Sequence, residues 1–203
     1  MLTLRASFGS PYGRKARIAV SILGLDGKVK VEPASTQDAA DPLATQNPLG
    51  KVPVLLLEDG STMFDSPVIL EYLDALAGGG KILPKDMKPR FDALRLEALA
   101  DGILDASILI VYEARYRPAD KIVQKWIDMQ SAKVTRALAV LEAAPPGLDK
   151  VPNVGQITLA CALGYRDFRF PGTWRQQHPR LVAWLDAFAK AVPSYEATTP
   201  PPG

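Results

Sequence analysis

Strand-forming patterns occupy only the first 78 residues of this 203-residue chain, and they stop at Gly78-Gly79-Gly80. Three glycines followed by Pro84 punctuate the chain as a linker. Upstream of them, short apolar runs alternate with stretches of helical period; downstream, only the helical period remains. The chain therefore reads as an α/β unit over residues 1–78, a linker over 79–85 and an all-helical unit over 86–203.

Within the first unit, Leu2 to Ser7 reads as a short strand. Ser10-Pro11 opens a helix, with serine as N-cap and proline at the first helical position, where its missing N–H costs nothing. Ala16, Ala19, Val20 and Leu23 follow at helical spacing until Gly24. Lys28 to Val31 gives a weak strand, and Asp38 to Thr45 a poor helix or a loop. Val54 to Leu57 and Ser61 to Phe64 flank Glu58-Asp59-Gly60, a hairpin signal. Ser66-Pro67 repeats the cap-plus-proline start, with Val68, Ile69, Tyr72, Leu73 and Leu76 as its apolar face. The order is β-α-β-α-β-β-α. Beyond the linker, the spacing predicts helices over Arg90 to Tyr112, from Pro118 to about Ala143, over Thr158 to Phe168 and over Pro179 to Ala191. The tail from Thr198 to Gly203 reads as frayed or laid along the surface.

The net charge of +2 argues against a dedicated nucleic-acid binder. The charge is uneven, with 7 basic and 9 acidic groups in residues 1–78 against 17 and 13 in the remainder. No apolar run is long enough to cross a bilayer, so no membrane role is expected. Met1 to Arg5 reads as an edge of structure, not a leader. One cysteine, Cys161, and one histidine, His178, exclude an intrachain disulfide and a Cys/His metal cage. No metal is expected, and a reducing cytoplasm is the economical location.

Pro53 stands at the mouth of the best strand, although proline cannot donate to a ladder. Either it shapes an edge strand, or the neighbouring backbone pairs with something that is not protein. Ser66, at a predicted helix start, is either a simple cap or an anion site.

Asn47-Pro-Leu-Gly-Lys-Val-Pro-Val54, followed by Phe64-Asp-Ser-Pro-Val-Ile-Leu-Glu-Tyr72, resembles the cytosolic glutathione transferase family. Ser10-Pro-Tyr-Gly-Arg-Lys-Ala-Arg17 is similar to the first-helix start of its serine-type bacterial members. The resemblance covers nearly the whole chain. It implies a thioredoxin-like N-terminal domain, an all-helical C-terminal domain and a homodimer formed across Phe64 and the two domains. It also implies glutathione as co-substrate and a small hydrophobic electrophile or peroxide as acceptor. A second reading keeps the fold and the binding but not the turnover, as in stress-regulatory relatives.

Residue by residue, the resemblance puts Val52, before a cis Pro53, against the cysteinyl backbone of glutathione. The hydroxyl and N–H of Ser66 take the γ-glutamyl carboxylate. Asp65, where the family more often has glutamate, meets the γ-glutamyl ammonium. Lys51 reaches one of the two carboxylates, and Gln46 is a weaker candidate. Ser10 donates to the sulfur, with Ser7 and Tyr12 as competitors and Arg14 adding field if it points back. The acceptor pocket falls to Tyr12, Ile108, Tyr112 and Tyr116, with Arg115 and Arg117 favouring an anion. The absence of a cysteine near the first helix argues against mixed-disulfide chemistry. One departure concerns the family's Ser/Thr-x-x-Asp box, which Thr158-Leu-Ala-Cys161 does not reproduce. Thr158 remains able to cap, and Cys161 reads as a small buried residue.

Overall fold

Leu2, Leu4 and Ala6 are buried while Thr3 and Arg5 between them are not, and this period of two defines strand β1 (Leu2–Ala6). The computed structural model describes residues 1–201. Helix α1 (Pro11–Ile22) carries the chain from β1 to β2 (Val29–Pro33), which lies parallel to β1 with Leu4 opposite Val31. After a single helical turn, α2 (Leu43–Gln46), β3 (Val54–Leu56) returns antiparallel to β1, with Leu4 opposite Leu55. The Glu58-Asp59-Gly60 turn, with Gly60 at φ +85°, closes the hairpin to β4 (Thr62–Met63). The sheet order is β2-β1-β3-β4, and α3 (Ser66–Leu76) completes a thioredoxin-like unit.

The remainder is helical: α4 (Met87–Tyr116), α5 (Gln124–Ala143), α6 (Val154–Arg169), α7 (Pro179–Ala191) and α8 (Pro193–Ala197). No helix among the described residues is long and apolar enough to cross a membrane. One apolar cluster runs through both units, joining Leu4, Ile18 and Ile69 to Leu104, Leu159 and Phe188.

Several helix starts differ from the sequence expectation. The α3 cap is Asp65, not Ser66: its carboxylate accepts the Ser66 N–H at 2.5 Å. Aspartate caps as well as serine, and proline at the second position still needs no donor. The α5 helix begins at Gln124, not Pro118. Ala119–Lys121 make one exposed 3-10 turn with no apolar face to bury, and the Glu113 carboxylate accepts the Val123 N–H at 3.1 Å. The α6 helix begins at Val154, so Thr158 is interior and its hydroxyl donates to the Val154 carbonyl at 2.7 Å. The capping box is Asn153-Val-Gly-Gln156: Asn153 accepts the Gln156 N–H at 3.1 Å, and Gln156 accepts the Asn153 N–H at 2.9 Å. Helix α8 had no sequence expectation. In the tail, Thr198 is buried, and the last two residues lie outside the described ones.

Helix α6 is buried along nearly its whole length and packs on α1 and α4. Gly155 permits this contact, because a Cβ there would stand 2.6 Å from the Ala93 carbonyl oxygen and 2.7 Å from the Leu96 Cβ. Backbone cannot yield as a flexible side chain can. Gly155→Ala is expected to destabilise the protein by about 1–3 kcal/mol, read as a lowered Tm. An unchanged Tm would show that the two helices are not in such close contact.

Candidate functional site

Three chain segments meet beside the sheet: the loop from β1 into α1, the approach to β3 and the start of α3. The first loop is tied down by its backbone: Ser10 N–H donates to the Ser7 carbonyl at 3.0 Å, and Arg14 N–H donates to the Ser10 carbonyl at 2.9 Å. The half-buried Ser10 accepts the Gly13 N–H at 3.2 Å through its hydroxyl oxygen, as an N-cap should. That leaves the hydroxyl proton for another acceptor.

The Val52–Pro53 bond is cis, as the resemblance implied, and so is Phe64–Asp65. Neither the N–H nor the carbonyl of Val52 enters a backbone hydrogen bond among the described residues. Buried Asn47 shapes the preceding loop: its amide donates to the Lys51 carbonyl at 2.9 Å and accepts the Leu49 N–H at 3.0 Å. Lys51 itself is exposed. The Gln46 side-chain oxygen is buried without a partner. Ser66 is 1 % exposed, and its hydroxyl oxygen also lacks any partner. Its N–H is already held by Asp65, so the hydroxyl alone remains for a ligand.

The helical unit supplies the charges. Tyr12 donates to Asp105 of α4. Burial pushes its pKa up, and the Asp105 hydrogen bond and charge push it further, with Asp101 and Asp65 adding to the effect. Tyr12 is therefore a phenol at neutral pH, and its proton is committed to Asp105. Arg14 does not point back toward Ser10. It is buried, donates to the Tyr195 carbonyl at 2.7 Å and to the Thr198 hydroxyl at 3.3 Å, and lies 4.0 Å from the Tyr195 ring centre. A Cβ on Gly164 would come within 2.6 Å of both the Arg14 guanidinium and the Tyr195 hydroxyl, so Arg14 fills space that this glycine leaves. Its role is to bind α8 to α1.

Sequence reasoning missed Lys15. It is fully buried, 2.8 Å from Asp101 and 3.3 Å from Glu97 of α4. Its place four residues before Ala19 on the buried face of α1 was the available signal.

On the acceptor side, Ile108 packs against the core while Tyr112 and Tyr116 are exposed, their rings 5.2 Å apart edge to face. Along α4, Tyr116 stands about 16 Å beyond Asp105, and Ile108 only about 5 Å. Arg117 is paired with Glu113 at 2.8 Å, which removes it as a free anion ligand. Arg169, at the end of α6, reaches the loop instead. A Cβ on Gly9 would lie 3.7 Å from its guanidinium and 4.0 Å from the Phe168 ring. Two surface hollows lie elsewhere, one beside Met1, Lys28 and Tyr72, the other beside Phe8, Asp26 and Pro193. Neither is lined by Ser10, Val52 or Ser66.

Sequence models of the glutathione S-transferase N-terminal and C-terminal domains match residues 9–76 and 124–187. The uncharacterized GST-like protein YibF of Escherichia coli (strain K12) is 37% identical over 98% of this chain and 99% of its own. A glutathione transferase family member from Pseudomonas fluorescens Pf-5, solved with bound glutathione, is 41% identical and superposes with a TM-score of 0.90 over 99% of this chain and 100% of its own. A second structure from that organism, with bound S-(propanoic acid)-glutathione, is also 41% identical, with a TM-score of 0.87 over 99% and 100% of the two chains.

Proposed function

The chain belongs to the glutathione S-transferase family, and from that membership we propose that it binds glutathione and activates its thiol as a thiolate for attack on a small electrophilic or peroxide acceptor. The observation that carries this reading is Ser66. A buried hydroxyl with no partner costs about 1–3 kcal/mol of desolvation, so the fold alone gives no reason to keep it. A γ-glutamyl carboxylate at the start of α3 supplies the missing acceptor, where the helix terminus also favours an anion.

The other residues follow from that anchor. Val52 pairs with the cysteinyl backbone as an added strand would. The Asp65 oxygen that does not hold the Ser66 N–H faces the ammonium. Lys51, which is exposed, meets a carboxylate. Ser10 donates its free proton to the sulfur at the head of α1. The acceptor enters from the side of Ile108 and Tyr112, with Tyr12 as a neutral wall and Tyr116 at the outer rim. Binding of both glutathione and S-(propanoic acid)-glutathione by the Pseudomonas fluorescens relatives supports a site with room for a substituent on sulfur. Exposed Val68 of α3 and exposed Met87 and Phe91 of α4 support an apolar face for a homodimer. The single cysteine, Cys161, supports a reducing cytoplasm as the location of the reaction.

Calorimetric titration of Ser66→Ala with glutathione tests the anchor. A hydrogen bond to a charged group predicts a loss of affinity of about 10-fold or more. Unchanged affinity would remove the carboxylate from this position.

A further inference from the structure

The loop before Ser10 lies between unlike charges. On the Tyr12 side stand Asp65, Asp101 and Asp105. Beside Gly9 stands Arg169, whose guanidinium carbon is 4.0 Å from the Phe168 ring centre. The Nε of Arg169 is buried without a partner. Neither Arg169 nor Arg115 takes part in any salt bridge among the described residues. Burial raises the Tyr165 pKa, while the Arg169 charge and its hydrogen bond to the phenol lower it, with a further contribution from the Arg115 charge. A half-buried guanidinium that rests against a ring and lacks a counter-ion is suited to a carboxylate, which a guanidinium takes with two parallel hydrogen bonds.

We propose that Arg169 binds a carboxylate on the acceptor, so that this transferase selects small electrophiles that carry one. The inference rests on the reading that the thiolate forms at Ser10. Gly9 and Ser10 are adjacent, and their Cα atoms are about 3.8 Å apart. The Arg169 guanidinium is therefore within about 9 Å of the Ser10 Cα, a span that a small aromatic acceptor can bridge. With an aryl chloride, sulfur forms the new C–S bond, and chloride leaves with the electron pair of the broken C–Cl bond. The carboxylate is unchanged, and no oxidant or reductant is required.

Two acceptors that react by the same displacement of chloride separate recognition from catalysis when each variant is compared with the wild type on the same acceptor: neutral 1-chloro-2,4-dinitrobenzene and anionic 4-chloro-3,5-dinitrobenzoate. Arg169→Leu is expected to lower kcat/KM for the benzoate about 10-fold or more and for the neutral acceptor less than about 2-fold. Arg169→Lys should recover part of the loss. Equal losses on both acceptors would overturn the proposal, because a structural role does not distinguish them. Calorimetry gives a readout without turnover. The wild type should bind S-(2-carboxyethyl)glutathione more tightly than S-propylglutathione, and Arg169→Leu should abolish the preference. No preference in the wild type would overturn the assignment. Failure of thiol activation would appear separately, as glutathione binding without thiolate formation, with the binding preference intact.

Discussion

Ser10→Ala is expected to lower kcat/KM for glutathione transfer by about 10- to 100-fold while glutathione affinity changes little. A free thiol has a pKa near 8.5, so most of it is protonated at neutral pH. One hydrogen bond from a hydroxyl, added to the positive end of a helix, stabilises the thiolate by about 1.4–3 kcal/mol, which is one to two pKa units. The need is greater here because the carboxylates of Asp65, Asp101 and Asp105 face the same region, as their pull on Tyr12 records. Tyr12 cannot take over the role, since its proton is held by Asp105. Ser10 is also the α1 cap, so the alanine variant loses about 1 kcal/mol of stability by a separate route. Ser10→Thr keeps both the hydroxyl and the cap and should retain most of the activity. Steady-state kinetics on both variants, alongside their Tm values, separates the two effects. Full activity in Ser10→Ala would move thiol activation to another group.

The second large effect is expected at Lys15. Its ammonium is fully buried between Asp101 and Glu97, joining α1 of the first unit to α4 of the second. Removing one member of a buried ionic cluster leaves uncompensated charge and costs about 3–5 kcal/mol. For a chain of this size, Lys15→Met should lower Tm by on the order of 10 °C. The pH dependence identifies the cause. Burial raises the pKa of both Glu97 and Asp101, and Lys15 opposes the shift. A carboxyl with a raised pKa holds its proton in the folded state where the unfolded chain has already released it. The stability it contributes is present in acid and is lost as pH rises through the folded-state value. Without Lys15 both shifts grow. The deficit of Lys15→Met relative to the wild type should therefore be larger at about pH 8 than at about pH 5. Equal deficits at both would mean that lost packing, not lost charge, is responsible.

What the sequence made legible was local. The period of β1, the Ser10-Pro11 start, the Glu58-Asp59-Gly60 turn and the change of pattern at Gly78-Gly79-Gly80 each lie within a few residues of the feature they encode. Ambiguity entered where neighbouring residues do the same work. Asp65 and Ser66 both cap well, and only the folded backbone selects Asp65. For α6, Thr158 was a plausible cap, but Asn153 and Gln156 form the reciprocal pair one turn earlier. Long-range partners were not legible. Arg14 is set by Tyr195, Lys15 by Glu97 and Asp101, and Arg169 by the Gly9 loop, at separations no local pattern reports. Arg14 was expected to point back toward Ser10, and Lys15 and Arg169 were not singled out, yet each joins parts of the chain far apart in sequence.

On the proposed function, this chain holds glutathione as its thiolate. An ultraviolet difference titration of the purified protein with reduced glutathione at neutral pH tests it directly, because the thiolate absorbs where the thiol does not. The wild type should show a thiolate band that saturates with binding, and Ser10→Ala should bind without it. Binding without a thiolate band in the wild type would contradict the claim and leave a noncatalytic glutathione-binding protein.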